Sequence, residues 1–447
     1  MKAAVIRVTK TQFYKYAVWI IAATIVVMIT GIVIAEGKWI YSVALLVTVG
    51  AFFISIKRPF IFPFGVYALL LPFDSLLSLT GNEGSTFTKS LGILTAIVFF
   101  VKGSFEKTLK RPDKVTIWLT IFFAYAFLSI IWATFPGITI GAVSSTAGLL
   151  ILYLVVTCYP VTKNEFDTVK WLILVGGLLA AMVTIYQFTN GIVYSNFGGR
   201  GTLLFGDRLV GPNKLAFDML FPLSIAIGMA MEKKQIIIKI VLSLILGAIV
   251  FGIFLTGSRG GLAASATILI VYMFFSKKRI TLGIVFVIVA VVVIPMIPEF
   301  FFQRIGDSVS SHAEGRGDIW VVGLHVLDKY WLLGAGQDNF EKVYTEFASY
   351  APIFEGVDRS AHNLYLRAFV ELGIVGFSLL IISLAKHYQI LRLRINRYDC
   401  DDNQTMLKAV FWGMLVSSLS QDTFFYKSFW LLLIMILLHK KVLLSEQ

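Results

Sequence analysis

Charge is scarce in this chain: Asp, Glu, Lys and Arg make up 15% of its 447 residues against 57% hydrophobic residues, and the mean hydropathy is +0.82. Soluble domains carry about 25% charge, so this balance excludes an ordinary soluble domain. Cysteine is almost absent. Cys158 and Cys400 both fall at ends assigned to the cytoplasm, where nothing suggests a disulfide or a thiolate metal site. A cleavable leader is not expected either, because residues 13 to 34 form too long an apolar run and lack a small-residue cleavage site.

What the chain has instead is a succession of apolar runs, each long enough to cross roughly 30 Å of hydrocarbon. About fourteen can be traced, opening with 13 to 34, 39 to 56 and 60 to 79, including 281 to 297, and closing with 364 to 386, 406 to 421 and 424 to 440. Several are short. The expectation is an all-α polytopic membrane protein with twelve to fourteen transmembrane helices and one large outer loop. Four regions follow: helices over 1–190, helices carrying outer-face arginine motifs over 191–297, the loop with short amphipathic helices over 298–363, and helices again over 364–447. With the N-terminus inside, the loops of one face hold 26 of the 39 Lys and Arg. The positive-inside rule then puts both termini in the cytoplasm. The net charge of +13 is therefore mostly topogenic, and nucleic acid is not an expected partner.

The two faces differ in kind of charge as well as amount. Arginine supplies 7 of the 26 basic residues inside but 7 of the 13 outside, namely Arg200, Arg208, Arg259, Arg304, Arg316, Arg359 and Arg367. Lysine suffices for topology, whereas the planar guanidinium matches phosphate oxygens in pairs. A phosphate-bearing anion fits this face, and so do ion pairs with loop carboxylates or lipid head groups. Arg259 lies in "TGSRGG" (256 to 261) between two apolar runs with almost no loop, where an unpartnered charge is costly. Arg208 stands in "GDRLVGPNKLAF" (206 to 217) with Arg200 nearby, and Asn213 reads as a helix-start residue. Arg316 opens an amphipathic segment expected to lie on the membrane surface with Trp320, Tyr330 and Trp331 as anchors, breaking at Gly334 to Gly336.

"DRSAHNLYLR" (358 to 367) puts an imidazole at the mouth of an apolar helix. Ser360 as N-cap places His362 in the first turn, where the helix dipole disfavours imidazolium and keeps the ring neutral, as a general base requires. A capping or loop-bonding histidine is the alternative. Arg367 and Glu371, four apart, read as a structural ion pair, and His325 as a structural surface residue.

These residues together resemble a known family. "RGDIW", "LLGAGQDNF" and "AHNLYLRAFVELGIVGF" (361 to 377), with "TGSRGG" upstream, are similar to the O-antigen ligase and polymerase superfamily of bacterial cell-envelope proteins. The resemblance implies an all-helical, GT-C-type membrane glycosyltransferase of the bacterial inner membrane. Its periplasmic site would move glycan from undecaprenyl diphosphate to an acceptor hydroxyl, on lipid A-core for a ligase or on another repeat unit for a polymerase. It assigns His362 the catalytic role with Asn363 supporting it. Arg259 and Arg316 would engage the diphosphate, with Arg208 or Arg200 as a further contact. Activated glycosyl diphosphates need only a base and charge stabilisation on the leaving group, and the outer face holds no Asp-x-Asp pair, so neither metal nor cofactor is expected. A lipid-linked oligosaccharide transporter or flippase would show related halves and midplane polar groups. No repeat is evident, and Asp74 is the main polar residue within a span.

Overall fold

The computed structural model describes Gly50 and residues 54–78, 86–193, 199–232, 235–276, 282–283, 287, 291, 315–392 and 402–445. The chain forms two compact units, Met1–Arg58 and Pro59–Gln447. Of the first, only Gly50 and the turn of helix leading to Arg58 are described. All that follows concerns the second.

Its described elements are helices α1 (Phe64–Leu70), α2 (Phe87–Phe105), α3 (Lys114–Leu128), α4 (Pro136–Cys158) and α5 (Lys163–Thr189), then an antiparallel hairpin of β1 (Leu203–Phe205) and β2 (Arg208–Val210). There follow α6 (Pro212–Glu232), α7 (Ile236–Leu255), α8 (Arg259–Phe275), the short α9 (Arg316–His325), α10 (Leu327–Tyr330) and α11 (Phe340–Glu346), and finally α12 (Leu364–Ile390), α13 (Asp402–Ser417) and α14 (Lys427–Ser445). The fold is all-α apart from the hairpin, and eight of these helices are long and apolar enough to cross a membrane. The expected runs 13 to 34, 39 to 56 and 281 to 297 lie wholly or mostly outside the described residues, as does Arg304. Run 60 to 79 is not one span. Pro72 and Asp74 tighten its second half into a 3₁₀ turn over Leu71–Leu77, so it stays among the shorter apolar helices.

Local chemistry sets where these helices begin. Asp113 caps α3 through the Val115 N–H, and Thr162 with Glu165 closes a capping box on α5. Burial then sorts them. In α6, 94% of the apolar window is buried against 28% in α7, so α6 is the central post and α7 presents its side chains outward, as a lipid-facing helix does.

The loop segment builds a small core of its own. Ile319, Val322, Phe340, Val343 and Tyr344 pack together with Val370 of α12. The apolar face of α9 is therefore covered by protein, where the sequence suggested a helix resting on the membrane. Trp331 remains 54% exposed.

α12 is interrupted. Gly373 adopts φ 63 and ψ −172 in its middle, and residues 331–336 bond into the gap: Ala335 N–H to Val370 O (2.9 Å), Gly336 N–H to Glu371 O (2.8 Å) and Ile374 N–H to Trp331 O (2.7 Å). A side chain at Gly373 would collide with the Leu332 carbonyl. The two motifs "LLGAGQDNF" and "RAFVELGIVGF" are thus two halves of one joint.

Candidate active site

α12 is capped three residues later than its sequence suggests. Asn363 is the N-cap, its Oδ1 accepting from the N–H groups of Tyr365 (3.0 Å) and Leu366 (3.1 Å). Ser360 does not cap. Its hydroxyl donates to Asp422 instead, and His362, at φ 47, lies ahead of the cap and outside the first turn.

Asp422 shapes this bend. Its carboxylate accepts from the backbone N–H of His362 (3.2 Å) and of Asn363 (3.2 Å). Those two donors would otherwise be unpaired at a helix entrance. Two further bonds staple the loop to the end of α13: Leu364 N–H to Ser418 O (2.9 Å) and Tyr365 OH to Leu415 O (2.9 Å). From the other side, the Trp320 indole donates to Ala361 O (2.9 Å). Trp320, expected to anchor at an interface, positions the histidine loop. His325 stacks on Tyr350 at 3.7 Å, a structural placement.

The His362 proton affinity is set by its surroundings. Burial of the ring lowers its pKa most, the Asp422 carboxylate opposes, and the guanidiniums of Arg316, Arg359 and Arg367 lower it further. The dipole of α12 is not needed for this result. The side chain is nonetheless reachable, since His362 is an exposed residue.

Beneath the loop, Arg367 forms a charge hub. Nε donates to Glu371 (2.8 Å), one terminal nitrogen pairs with Asp338, the other lies 3.5 Å from Asp422, and the guanidinium sits 4.8 Å above the Phe425 ring. Glu371 also accepts from the N–H groups of Asp338 (2.8 Å) and Phe340 (3.2 Å). The Arg367–Glu371 pair is structural as its spacing suggested, and it knits the loop to α12. Burial pushes the carboxyls of Asp338 and Glu341 above their usual range. Among the described residues, no group of three or more His, Cys, Asp or Glu is arranged to hold a metal ion.

The four arginines singled out from sequence go to different places. Arg316 opens α9 after Gly315 (φ 77), and its charge is among those that lower the His362 proton affinity. A side chain at Gly315 would strike the Glu355 carboxylate, so that helix start already has an anion beside it. Arg259 is the first residue of α8, capped by Ser258; Gly260 after it lies tight against Ser420, two residues from Asp422. Arg200 is a buried strut, donating from Nε to Thr256 O (2.6 Å) and from its terminal nitrogen to Asn213 Oδ1 (2.7 Å). Asn213, expected to cap α6, is that arginine's acceptor. Arg208 is exposed on β2, bonds Leu76 O (3.0 Å), and lines a separate cavity.

Residues 242–381 match the family model described as O-antigen ligase. That segment is similar to the O-antigen ligase family. It contains Arg259, Arg316, His362, Asn363, Arg367 and Glu371, whereas Arg200 and Arg208 precede it and Asp422 follows it. The match supports a likeness to a family of glycosyltransferase-like ligases and polymerases, which in general act on lipid-linked glycans and glycan acceptors. No curated protein matches the chain. The residue of the histidine loop that sequence reading missed is Asp422. The signal available was its position between the apolar runs 406 to 421 and 424 to 440, where a carboxylate with no loop around it needs partners.

Proposed function

We propose that the chain transfers a glycan from undecaprenyl diphosphate to an acceptor hydroxyl of lipid A-core, at the periplasmic face of the bacterial inner membrane. His362 takes the proton from the attacking hydroxyl. The oxygen then bonds to the anomeric carbon as the sugar–phosphate bond breaks, and the diphosphate departs with its electron pair. Arg316, with Arg259 on the adjoining helix start, stabilises the growing negative charge. Asn363 and Asp422 act through His362, fixing its backbone. Arg208 belongs to the second cavity in this scheme, and Arg200 supports the Thr256–Asn213 junction. In this reading both termini are cytoplasmic, and the four regions named from sequence serve as membrane bundle, arginine-bearing bundle, outer loop and closing helices.

The observation that carries this reading is the His362 loop itself, a reachable imidazole held in a left-handed turn with three guanidiniums lowering its proton affinity, inside the O-antigen ligase segment. A repeat-unit polymerase would use the same chemistry with another donor molecule as acceptor. The test is transfer by purified full-length protein from undecaprenyl-diphosphate glycan, offered lipid A-core or a second donor. His362→Ala is expected to lose about 10²–10⁴-fold in kcat, and Arg316→Ala about 10²-fold or more. Full activity in both stably inserted variants rejects the assignment. A chelator should leave the rate unchanged.

A further inference from the structure

A cavity of about 970 Å³ opens beside the hairpin, between α2, α4, the Leu71–Leu77 turn and the residues leading into α14. Phe425 is common to both sites: its ring lies under Arg367 and it also lines this cavity. The two ends of the cavity differ in chemistry.

One end is cationic. Lys89, Arg208, Lys214 and Lys427 line it with Asp74 and Asp207. Lys427 is committed to Asp74 (2.7 Å), Thr86 (2.8 Å) and Thr88 (2.8 Å), so it neutralises Asp74. Lys214 pairs with Asp218 (2.8 Å), whose other oxygen accepts from Ser428 (2.6 Å). Among the described residues, four cations stand with three carboxylates at this end, and Lys89 and Arg208 are exposed at its mouth. At the floor, Tyr67 lines the cavity and is 1% exposed, and its buried hydroxyl has no hydrogen-bond partner. A buried unbonded hydroxyl costs free energy unless something fills its place.

The α2–α4 side carries Ser144, Ser145 and Thr146 and then an apolar stretch. Gly92 and Ile93 of α2 face Gly148, Leu149 and Leu152 of α4, both helices of membrane-crossing length. Ile93 lines the cavity and is still 54% exposed, so the wall continues onto the lipid-facing side of the bundle. A soluble anion would leave this end unfilled, and a free sugar would not call for the cations.

We propose that this cavity binds the phosphate end of a membrane lipid: Arg208, Lys89 and Lys214 surround the phosphate oxygens, and the hydrocarbon chain leaves between α2 and α4. Arginine gives the forked contact and the lysines act as point charges. The source of the phosphate is either a polyprenyl-linked substrate or an acidic phospholipid.

The experiment is native mass spectrometry of the full chain in detergent with undecaprenyl phosphate or, separately, phosphatidylglycerol. It reads binding and so stands whether or not the transferase reading does. Two variants address the two ends: Lys89→Gln with Arg208→Gln, and Gly148→Leu, which fills space now open around Gly148 without touching charge. Retained lipid should fall at least fivefold in both, with thermal unfolding unchanged within a few degrees. A loss confined to undecaprenyl phosphate assigns the site to substrate, one confined to phosphatidylglycerol assigns it to a resident phospholipid, and a loss of both supports a general lipid-phosphate seat. A loss in the charge variant alone overturns the chain path, and undiminished retention of both lipids in both variants overturns the whole proposal.

Discussion

At the scale of single residues, His362 and Asp422 work as a unit although sixty positions separate them. The carboxylate fixes the imidazole's backbone and also raises its proton affinity, while burial and three arginines lower it. The balance lies below the ordinary histidine value of about 6.5, so the ring is neutral at pH 7 and gains its proton only on acidification. kcat/KM should therefore fall on the acid side, with an apparent pKa below about 6.5. Asp422→Asn removes the opposing negative charge and should move that limb to lower pH. Arg359→Gln removes a positive charge and should move it higher. A limb that stays put in both variants would separate the profile from His362. The histidine was legible because its chemistry stands out in an apolar chain. Asp422 was not, because it acts by accepting backbone N–H groups, an interaction that leaves no side-chain pattern in sequence.

At the scale of elements, the decisive object is the break in α12. Hydropathy cannot show it, since Leu372, Gly373, Ile374 and Val375 read as continuous apolar helix. The partner was half visible: Gly334 to Gly336 read as a break, but its destination inside another helix did not. Only Gly373 combines a positive φ with contact against the Leu332 carbonyl. Gly373→Ala should accordingly cost about 1–3 kcal/mol from backbone strain alone, with the collision adding to it. Reduced thermal stability in detergent and a lower yield of monodisperse protein would register this. Unaltered stability would mean that the break closes without it. Arg367→Ala belongs to the same joint. It leaves Glu371, Asp338 and Asp422 facing one another without their cation, and a loss of about 3–5 kcal/mol is expected.

At the scale of the whole molecule, the apolar runs announced a helical membrane protein because backbone groups in hydrocarbon must be satisfied within each segment. Span limits were less legible where Pro72 and Asp74 interrupt an apolar stretch. The arginine count pointed to a face rich in guanidinium, yet the four residues chosen from it go to the surroundings of His362, a helix start, a buried strut and a second cavity, destinations decided by distant contacts. Orientation is testable at this scale. In a Cys158→Ser, Cys400→Ser background, exposed Ser349→Cys should react with membrane-impermeant maleimide in cells whose outer membrane is permeabilised, and Ser445→Cys only after lysis. The reverse pattern would invert the topology. Finally, because residues 331–336 are spliced into the gap of α12 by backbone bonds, the register between loop and helix is quantised: a one-residue insertion between Leu333 and Gln337 would throw every later partner out of step, whereas the same insertion between the exposed Pro352 and Ile353 would lengthen a surface bend.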